Sequence, residues 1–181
     1  MTTTNASPSH QLVGEGLNLS ISKPKPHQAA KINELIARCK PLDENSLYCN
    51  LLQTTHFAET CAIAEIDGEV AAFVSGYIHP ERPKTLFIWQ VAVNPDYRGL
   101  GLAKKLILKI VERNLPKLQF EFIHTTITKS NTASWSLFKS VAKALNSEYS
   151  TRVMFDKQLH LDHQGESEWL MDIGPFQANN D

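Results

Sequence analysis

The segment over residues 98–103 reads Arg-Gly-Leu-Gly-Leu-Ala and contains the residue types that most directly indicate a chemistry. It has the form R-x-x-G-x-A and joins an apolar run to an amphipathic one, which predicts a turn between a strand and a helix. Glycines let the main chain approach a ligand without Cβ interference, and a helix that we expect to start near Leu100 adds N–H groups that favour anions. Gly99 and Gly101, with Arg98 and Lys104 as cations, therefore predict a pyrophosphate-binding turn. An ordinary glycine-rich turn with a surface arginine is the alternative.

Signatures of other cofactors and of metals are not found in the sequence. It has no G-x-x-x-x-G-K-[ST] motif, and its glycine pair has neither the third glycine nor the trailing acid of a dinucleotide fingerprint. ATP, NAD and metals are therefore not expected. Cys39, Cys49 and Cys61 match neither disulfide nor zinc spacing and are expected to be reduced thiols. An acetylated Cys49 intermediate is the catalytic alternative.

Length and charge favour one enzyme domain with small-molecule substrates. The chain has 181 residues and 42% hydrophobic content, and its net charge of -1 provides no field for nucleic acid or an anionic membrane. No apolar run reaches the ~18 residues of a membrane span, and no signal-peptide core opens the chain. We expect a cytoplasmic protein with a flexible leader over residues 1–16, one domain over 17–176 and a flexible tail over 177–181.

The order of the elements that must position this turn predicts an α/β fold. The Asp67-Gly68 pair predicts a tight hairpin, and the apolar run over residues 86–93 is typical of a central strand covered on both faces. The predicted strands cover residues 17–22, 61–66, 70–77, 86–93, 122–127, 152–155 and 169–173.

Apolar stripes at helical spacing predict four helices, two before the hairpin and one after each of the next two strands. The second follows Asp43 and Asn45, either of which has a side chain suited to an N-cap, and the fourth begins at Asn131. The predicted inner faces are Ile32, Leu35, Ile36 and Cys39; Leu47, Tyr48, Leu51, Leu52 and Thr55; Leu102, Leu106, Ile107, Ile110 and Val111; and Leu137, Phe138, Val141, Ala142 and Leu145.

The strand, the turn and the helix after it resemble the acetyl-CoA-binding core of GNAT acetyltransferases. The resemblance implies the GNAT acyltransferase fold, a mixed and mostly antiparallel sheet flanked by about four helices. It also implies that the strand over residues 89–93 splays from its neighbour and receives the pantetheine arm, while the turn binds the pyrophosphate. The acetyl-CoA-binding residues implied in this way are Gln90, Val91, Ala92, Val93, Arg98, Gly99, Leu100, Gly101, Leu102 and Ala103, with Asn131, Ser134 and Trp135 beside the thiol end.

Segments outside that core resemble one GNAT family, the diaminobutyrate acetyltransferases of ectoine biosynthesis. They are Pro41-Leu42-Asp43-Glu44-Asn45-Ser46, Phe73-Val74-Ser75-Gly76-Tyr77, Leu86-Phe87-Ile88-Trp89, Thr125-Thr126-Ile127-Thr128 and Asn131-Thr132-Ala133-Ser134-Trp135-Ser136-Leu137-Phe138. The resemblance implies transfer of the acetyl group of acetyl-CoA to the γ-amine of L-2,4-diaminobutyrate, a step in osmoprotection. It also implies a homodimer.

The same resemblance places Asp43, Tyr48, Trp89 and Glu168 around the diaminobutyrate pocket. The two acids suit ammonium groups, the tyrosine suits a carboxylate, and the tryptophan suits a wall against water. The alternatives are an N-cap for Asp43, a core aromatic for Tyr48, a buried sheet residue for Trp89 and a solvated loop residue for Glu168. The family usually has a histidine three positions before this glutamate, where the sequence has Gly165.

Transfer to an amine requires a base, because an amine with a pKa near 10 costs about 4 kcal/mol to deprotonate at pH 7. Glu168 is the first candidate, and His124, otherwise an ordinary strand histidine, is the second. We expect direct attack of the neutral amine, with backbone N–H groups of residues 90–93 polarising the thioester carbonyl. Phe138 occupies a position where many GNAT enzymes have a tyrosine that reprotonates the CoA thiolate. Tyr48, water or the product ammonium supplies that proton instead, or the thiolate leaves as an anion.

Two other functions are compatible with the sequence. One is the same transfer to another small amine or to a peptide N-terminus. The other is a non-catalytic acyl-CoA-binding sensor, for which the phenylalanine at position 138 leaves room.

Overall fold

One mixed sheet organises the protein, for which a computed structural model describes residues 9–13, 16–118 and 120–176. The described strands are β1 (Ser9–Val13), β2 (Leu17–Ser22), β3 (Ala62–Ile66), β4 (Glu69–His79), β5 (Arg82–Val93), β6 (Phe122–Thr128), β7 (Tyr149–Phe155) and β8 (Glu168–Ile173). The described helices are α1 (Ala29–Arg38), α2 (Leu47–Gln53), α3 (Leu102–Leu118) and α4 (Thr132–Ala144). The strand order is β1-β2-β3-β4-β5-β6-β8-β7, with β5 and β6 parallel and the other described neighbours antiparallel. This confirms the predicted sheet and its flanking helices.

The hairpin between β3 and β4 forms at the predicted residues. Ile66 pairs with Glu69, so Asp67 and Gly68 form a two-residue loop with φ angles of 51° and 83°. Positive φ at both positions is the geometry that matches the twist of antiparallel strands, and Asp-Gly is a favoured pair for it. The hairpin therefore follows from local sequence.

Helices cover both faces of the sheet and divide the core in two. The predicted stripes of α3 and α4 pack on one face, and the predicted stripe of α1 packs on the other. The buried residues under α3 and α4 include Leu86, Ile88, Leu106, Ile107, Ile110, Ile123, Phe138, Val141 and Met171. Those under α1 include Ile32, Leu35, Ile36, Cys61, Ile63, Phe73 and Ala92.

The predicted inner face of α2 is wrong. The buried side chains of this helix are the polar Asn50 and Gln53, whereas Leu47, Tyr48 and Leu51 are 47%, 69% and 37% exposed. Asn50 is tolerated inside because its amide Oδ1 accepts from the Asn33 side chain and its Nδ2 donates to Gln53. The apolar side of α2 therefore faces outward.

The N-cap of α2 is Ser46, where Asp43 and Asn45 were the predicted candidates. The Ser46 Oγ accepts the backbone N–H of Cys49 at 3.1 Å. This arrangement satisfies one of the open N–H groups at the start of the helix. The Asp43 carboxylate is consequently not used as a cap.

The structure also bears on the chain ends and on membrane association. Ser9–Val13, inside the predicted flexible leader, forms β1 and pairs with β2. The rest of residues 1–15 and the predicted tail over 177–181 lie outside the described residues. Among the described helices, none combines the length and apolarity needed to cross a bilayer.

Candidate active site

The central opening of the sheet lies where β5 and β6 separate. Their parallel pairing covers Thr85, Leu86 and Phe87, and no described residue of β6 pairs with β5 beyond that point. The β6-facing backbone groups of Ile88–Val93 are therefore left for a ligand. This separation confirms the splay that the resemblance implies.

A β-bulge in β5 determines which side chains face this opening. Ser75 pairs with Gln90 while the next residue of β4, Gly76, pairs with Ile88, so Trp89 is an extra residue in the ladder. Such a bulge turns two successive side chains to one face. Trp89 is 51% exposed and lies edge-on to Tyr77, with 6.5 Å between ring centroids. It is not the buried sheet residue of the alternative reading.

The turn after β5 has the geometry needed to approach an anion. Gly99 and Gly101 have φ angles of 83° and 70°, in the left-handed region that favours glycine. The first helical bond runs from the Lys105 N–H to the Gly101 carbonyl at 3.1 Å. The N–H groups of Leu102 and Ala103 therefore precede the hydrogen-bond ladder of α3, which begins two residues later than expected.

The start of α4 is tied to the end of β6 on the other side of the splay. Asn131 is the N-cap of α4, and its Oδ1 accepts the Ser134 N–H at 3.0 Å. The Trp135 Nε1–H donates to the Thr128 carbonyl at 3.0 Å. These bonds fix the start of α4 against the end of β6, and they show that Asn131 and Trp135 have structural roles.

The Asp43 carboxylate acts electrostatically on Glu168 although 125 positions separate them in the sequence. Burial raises the pKa of the half-buried Glu168 carboxyl, a hydrogen bond from Thr126 opposes that rise, and the carboxylates of Asp43 and Glu166 add to it. A raised carboxyl pKa reflects a destabilised anion that readily accepts a proton. Glu168 is therefore not the solvated loop residue of the alternative reading.

Two residues that position Glu168 were not predicted as site residues from the sequence. Thr126 shares a face of β6 with His124 and Thr128, so strand alternation could have indicated it. The carboxylate of Glu166 accepts from the Ser130 hydroxyl and from the Ser130 N–H, the latter at 3.3 Å. This second contact fastens the segment before β8 to the β6–α4 turn, and no local pattern indicates it.

Tyr48 is not brought into contact with the two acids. Its side chain is 69% exposed on α2, and no hydrogen bond joins its hydroxyl to another described residue. The alternative of a core aromatic for Tyr48 is therefore wrong.

Trp89 borders an open cavity of about 500 Å³ together with Phe57, Thr60 and Tyr77.

His124 is buried away from solvent, which counts against its role as the base. It is 3% exposed, with its Nε2 3.1 Å from Asp172 Oδ2. Burial lowers the pKa of His124 and the Asp172 carboxylate raises it, while Arg82 and His79 lower it again. The alternative reading, an ordinary strand histidine, fits these contacts better.

The cysteines show no features of a nucleophile. Burial raises the pKa of the Cys49 thiol, raises that of Cys39 against the opposing charge of Arg98, and raises that of Cys61 to about 12. A neutral thiol is a poor nucleophile. Within the part of the chain that the structure describes, no group of His, Cys, Asp and Glu could hold a metal ion.

Comparison with known proteins places these features in a family. A profile of the "Acetyltransferase (GNAT) family" matches residues 29–142. An L-2,4-diaminobutyric acid acetyltransferase of Methylotuvimicrobium alcaliphilum is 47% identical over 88% of this chain and 92% of its own. A Vibrio cholerae protein of the same name is 40% identical over 87% and 90%, respectively.

A solved structure shares the architecture over nearly the whole chain. It is a diaminobutyrate acetyltransferase from Paenibacillus lautus, determined in complex with L-2,4-diaminobutyric acid and coenzyme A. The two superpose with a TM-score of 0.84 at 33% identity, over 92% of this chain and 100% of the other. This chain belongs to the GNAT acetyltransferases and, among them, to the L-2,4-diaminobutyric acid acetyltransferase family.

Proposed function

We propose that this protein transfers the acetyl group of acetyl-CoA to the γ-amine of L-2,4-diaminobutyrate. The observation that carries the proposal is the splayed edge of β5, whose Gln90 side chain holds the loop of Asp43, a carboxylate that acts electrostatically on Glu168. Diaminobutyrate has two ammonium groups, so two neighbouring carboxylates match its charge. The family of the relatives supports the same acceptor.

Acetyl-CoA supplies the acetyl group as a thioester, and the residues along the splay fit it. The backbone of Gln90, Val91, Ala92 and Val93 offers an open edge for the pantetheine arm, and Asn131, Ser134 and Trp135 border its thiol end. The diphosphate lies on the turn, where Arg98 contributes charge and the N–H groups around Gly99, Leu100, Gly101, Leu102 and Ala103 face the anion.

The acceptor lies between β5, β8 and the segment before α2. Asp43 and Glu168 hold its ammonium groups, the Tyr48 hydroxyl donates to its carboxylate, and the exposed ring of Trp89 limits water at the reacting amine. Because the Tyr48 side chain is exposed on α2, this contact requires the side chain to move toward the acceptor. The pocket thereby presents one amine to the thioester.

Glu168 removes a proton from the acceptor amine. Its raised pKa brings its basicity nearer to that of the amine, which reduces the free energy needed for proton transfer. Backbone N–H groups of the open β5 edge polarise the thioester carbonyl oxygen. The 2% exposed Phe138 has no proton to donate to the departing thiolate, so Tyr48, water or the product ammonium supplies it, or the thiolate leaves unprotonated.

The cellular setting follows from the product. We place the enzyme in the cytoplasm, where thiols such as its free cysteines stay reduced, and its product in ectoine synthesis during osmotic stress. We expect thiol labelling in fresh cell extract to find these cysteines reduced, and we expect expression of the protein to rise with salt. Secreted, oxidised protein would contradict this placement.

We also propose that the protein is a homodimer that associates through the β7 edge. Tyr149, Val153 and Phe155 are 41%, 42% and 40% exposed on this edge strand. Open strand edges with exposed apolar residues favour pairing with another chain. Light scattering should give twice the 20.3 kDa chain mass, and Val153→Lys should give the monomer. A monomeric wild type would reject the proposal.

One steady-state assay tests the function. Thiol release from acetyl-CoA is measured with diaminobutyrate, ornithine, lysine and an N-terminal peptide as rival acceptors, and the product is mapped by NMR. The expected result is the highest kcat/KM for diaminobutyrate with acetylation at the γ-nitrogen. Preference for the peptide indicates a protein acetyltransferase, and binding of acetyl-CoA without thiol release with any acceptor indicates a sensor.

A further inference from the structure

The side chain of Gln90 joins the strand at the cofactor cleft to the loop that carries Asp43. Its Nε2–H donates to the Asp43 carbonyl oxygen at 2.8 Å, and its Oε1 accepts from the Asn45 Nδ2–H at 2.8 Å. Gln90 is 8% exposed, so water competes little for either bond. Removing this amide would leave the part-buried Asp43 carbonyl and Asn45 side-chain amide without these partners, which is costly.

The loop over residues 43–45 depends on side-chain amides for its position. It has no helical or strand structure of its own. From the opposite side, the Asn33 Nδ2–H donates to the Asn45 carbonyl at 2.7 Å and to the Asn50 Oδ1 at 2.8 Å. The loop is therefore held between α1 and β5, with Gln90 as its contact on β5.

The β5 bulge explains why Gln90 can make these bonds. In a regular strand, successive side chains point to opposite faces, so Gln90 would face away from Trp89. The extra residue in the ladder turns both to the same face, and the Gln90 amide reaches the Asp43 loop beside Trp89. The bulge thus couples the loop to the strand edge that faces the thioester.

We propose that Gln90 is a positioning residue for the acceptor: its side-chain amide fixes the loop that carries the Asp43 carboxylate. The inference rests on the proposed function, in which Asp43 binds an acceptor ammonium. The backbone of Gln90 borders the cofactor while its side chain acts on the acceptor side. Loss of the amide alone should therefore affect the two substrates differently.

The test compares Gln90→Met with Asn114→Leu in the full-length enzyme. Asn114 is 2% exposed and donates two bonds of 2.8 Å to the carbonyls of Glu59 and Ile110, neither of which belongs to the Asp43 loop. Each variant loses two hydrogen bonds of a buried side-chain amide, so a purely structural role predicts equal effects. We expect Gln90→Met to raise KM for diaminobutyrate about tenfold, the equivalent of roughly one net hydrogen bond, with KM for acetyl-CoA unchanged. Asn114→Leu should change neither.

Two further readouts separate positioning from general loosening. With Asp43 released, its charge no longer raises the pKa of Glu168, so the acid limb of kcat/KM should move to lower pH in Gln90→Met. Hydrogen exchange of residues 42–46 should quicken in Gln90→Met and stay unchanged in Asn114→Leu. Equal exchange in the two variants, or a parallel rise in both KM values, overturns the proposal.

The exchange experiment also keeps this proposal separate from the proposed function. A wild type that does not acetylate diaminobutyrate would reject the function. The comparison of loop exchange between Gln90→Met and Asn114→Leu would still decide whether Gln90 holds the loop. Faster exchange of residues 42–46 in Gln90→Met alone supports positioning even in that case.

Discussion

Replacing Glu168 with glutamine is the sharpest test of the proposed chemistry. The substitution keeps the size of the side chain and removes the charge that accepts the proton. A positioned general base contributes about 10²–10⁴ in rate, or roughly 3–5 kcal/mol. The cost of deprotonating an amine at pH 7, about 4 kcal/mol, falls within this range. We therefore expect kcat to fall by two to four orders of magnitude, with KM for acetyl-CoA unchanged.

The pH profile gives the same test a second signature. In the wild type, kcat/KM should fall as pH drops through the raised pKa of Glu168, because the protonated acid cannot act as a base. The Glu168→Gln variant has no such limb. Its rate should rise steadily toward alkaline pH as the amine loses its proton to solvent. Glu112→Gln, on the exposed face of α3, is the control and should retain the wild-type profile.

The Glu168→Gln substitution should leave the folded state as stable as the wild type or more stable, although it lowers activity. The folded-state pKa of Glu168 lies above its unfolded value, so the carboxylate becomes less favourable in the folded state as pH rises through that interval. Above both pKa values, the ionised carboxylate destabilises the folded state to its full extent. Glu168→Gln removes this destabilisation, and Tm at pH 7 should equal or exceed that of the wild type. A kcat within threefold of wild type, or a loss of activity that tracks a lower Tm, would refute the assignment of Glu168 as the base.

Three other substitutions test separate parts of the structure. Thr126→Val removes the hydrogen bond that lowers the Glu168 pKa, so the acid limb of kcat/KM should move to higher pH, and a shift to lower pH would contradict this. Gly101→Ala places a side chain at a φ of 70°, a strain of about 1–2 kcal/mol that should raise KM for acetyl-CoA roughly five- to thirtyfold; an unchanged KM would count against the turn. Gly76→Ala puts Cβ 2.7 Å from the Phe87 carbonyl oxygen, and chemical denaturation should show a loss of about 1–3 kcal/mol; equal stability would show that β4 and β5 can separate.

Local features of this fold could be predicted from the sequence because neighbouring residues determine them. The Asp67-Gly68 hairpin needs two residues that tolerate positive φ, and the stripes of α1, α3 and α4 need only helical spacing. The turn over residues 98–103 is equally local, since two glycines and a helix start are adjacent in the chain. The predicted glycine turn is present, and the prediction was wrong only in placing the start of α3 near Leu100 where it begins at Leu102.

Resemblance to the diaminobutyrate acetyltransferases supplied the candidate acceptor residues, which periodicity alone would have assigned to other roles. Asp43 was a plausible N-cap, and choosing between it and Ser46 required the actual path of the chain into α2. Tyr48 belongs by spacing to an apolar stripe that the structure exposes. The apolar stripe gave the wrong inner face because α2 buries Asn50, whose side-chain amide accepts a hydrogen bond from Asn33.

Tertiary structure alone decided how the site is assembled. The sequence determined that a glycine turn follows a central strand and that acids occur at positions 43 and 168. The bulge that turns Trp89 and Gln90 to one face depends on the register between β4 and β5. The electrostatic effect of Asp43 on Glu168 depends on β8 pairing with β6. Register and strand order are set by packing among residues distant in sequence, so no local pattern of residue types encodes them.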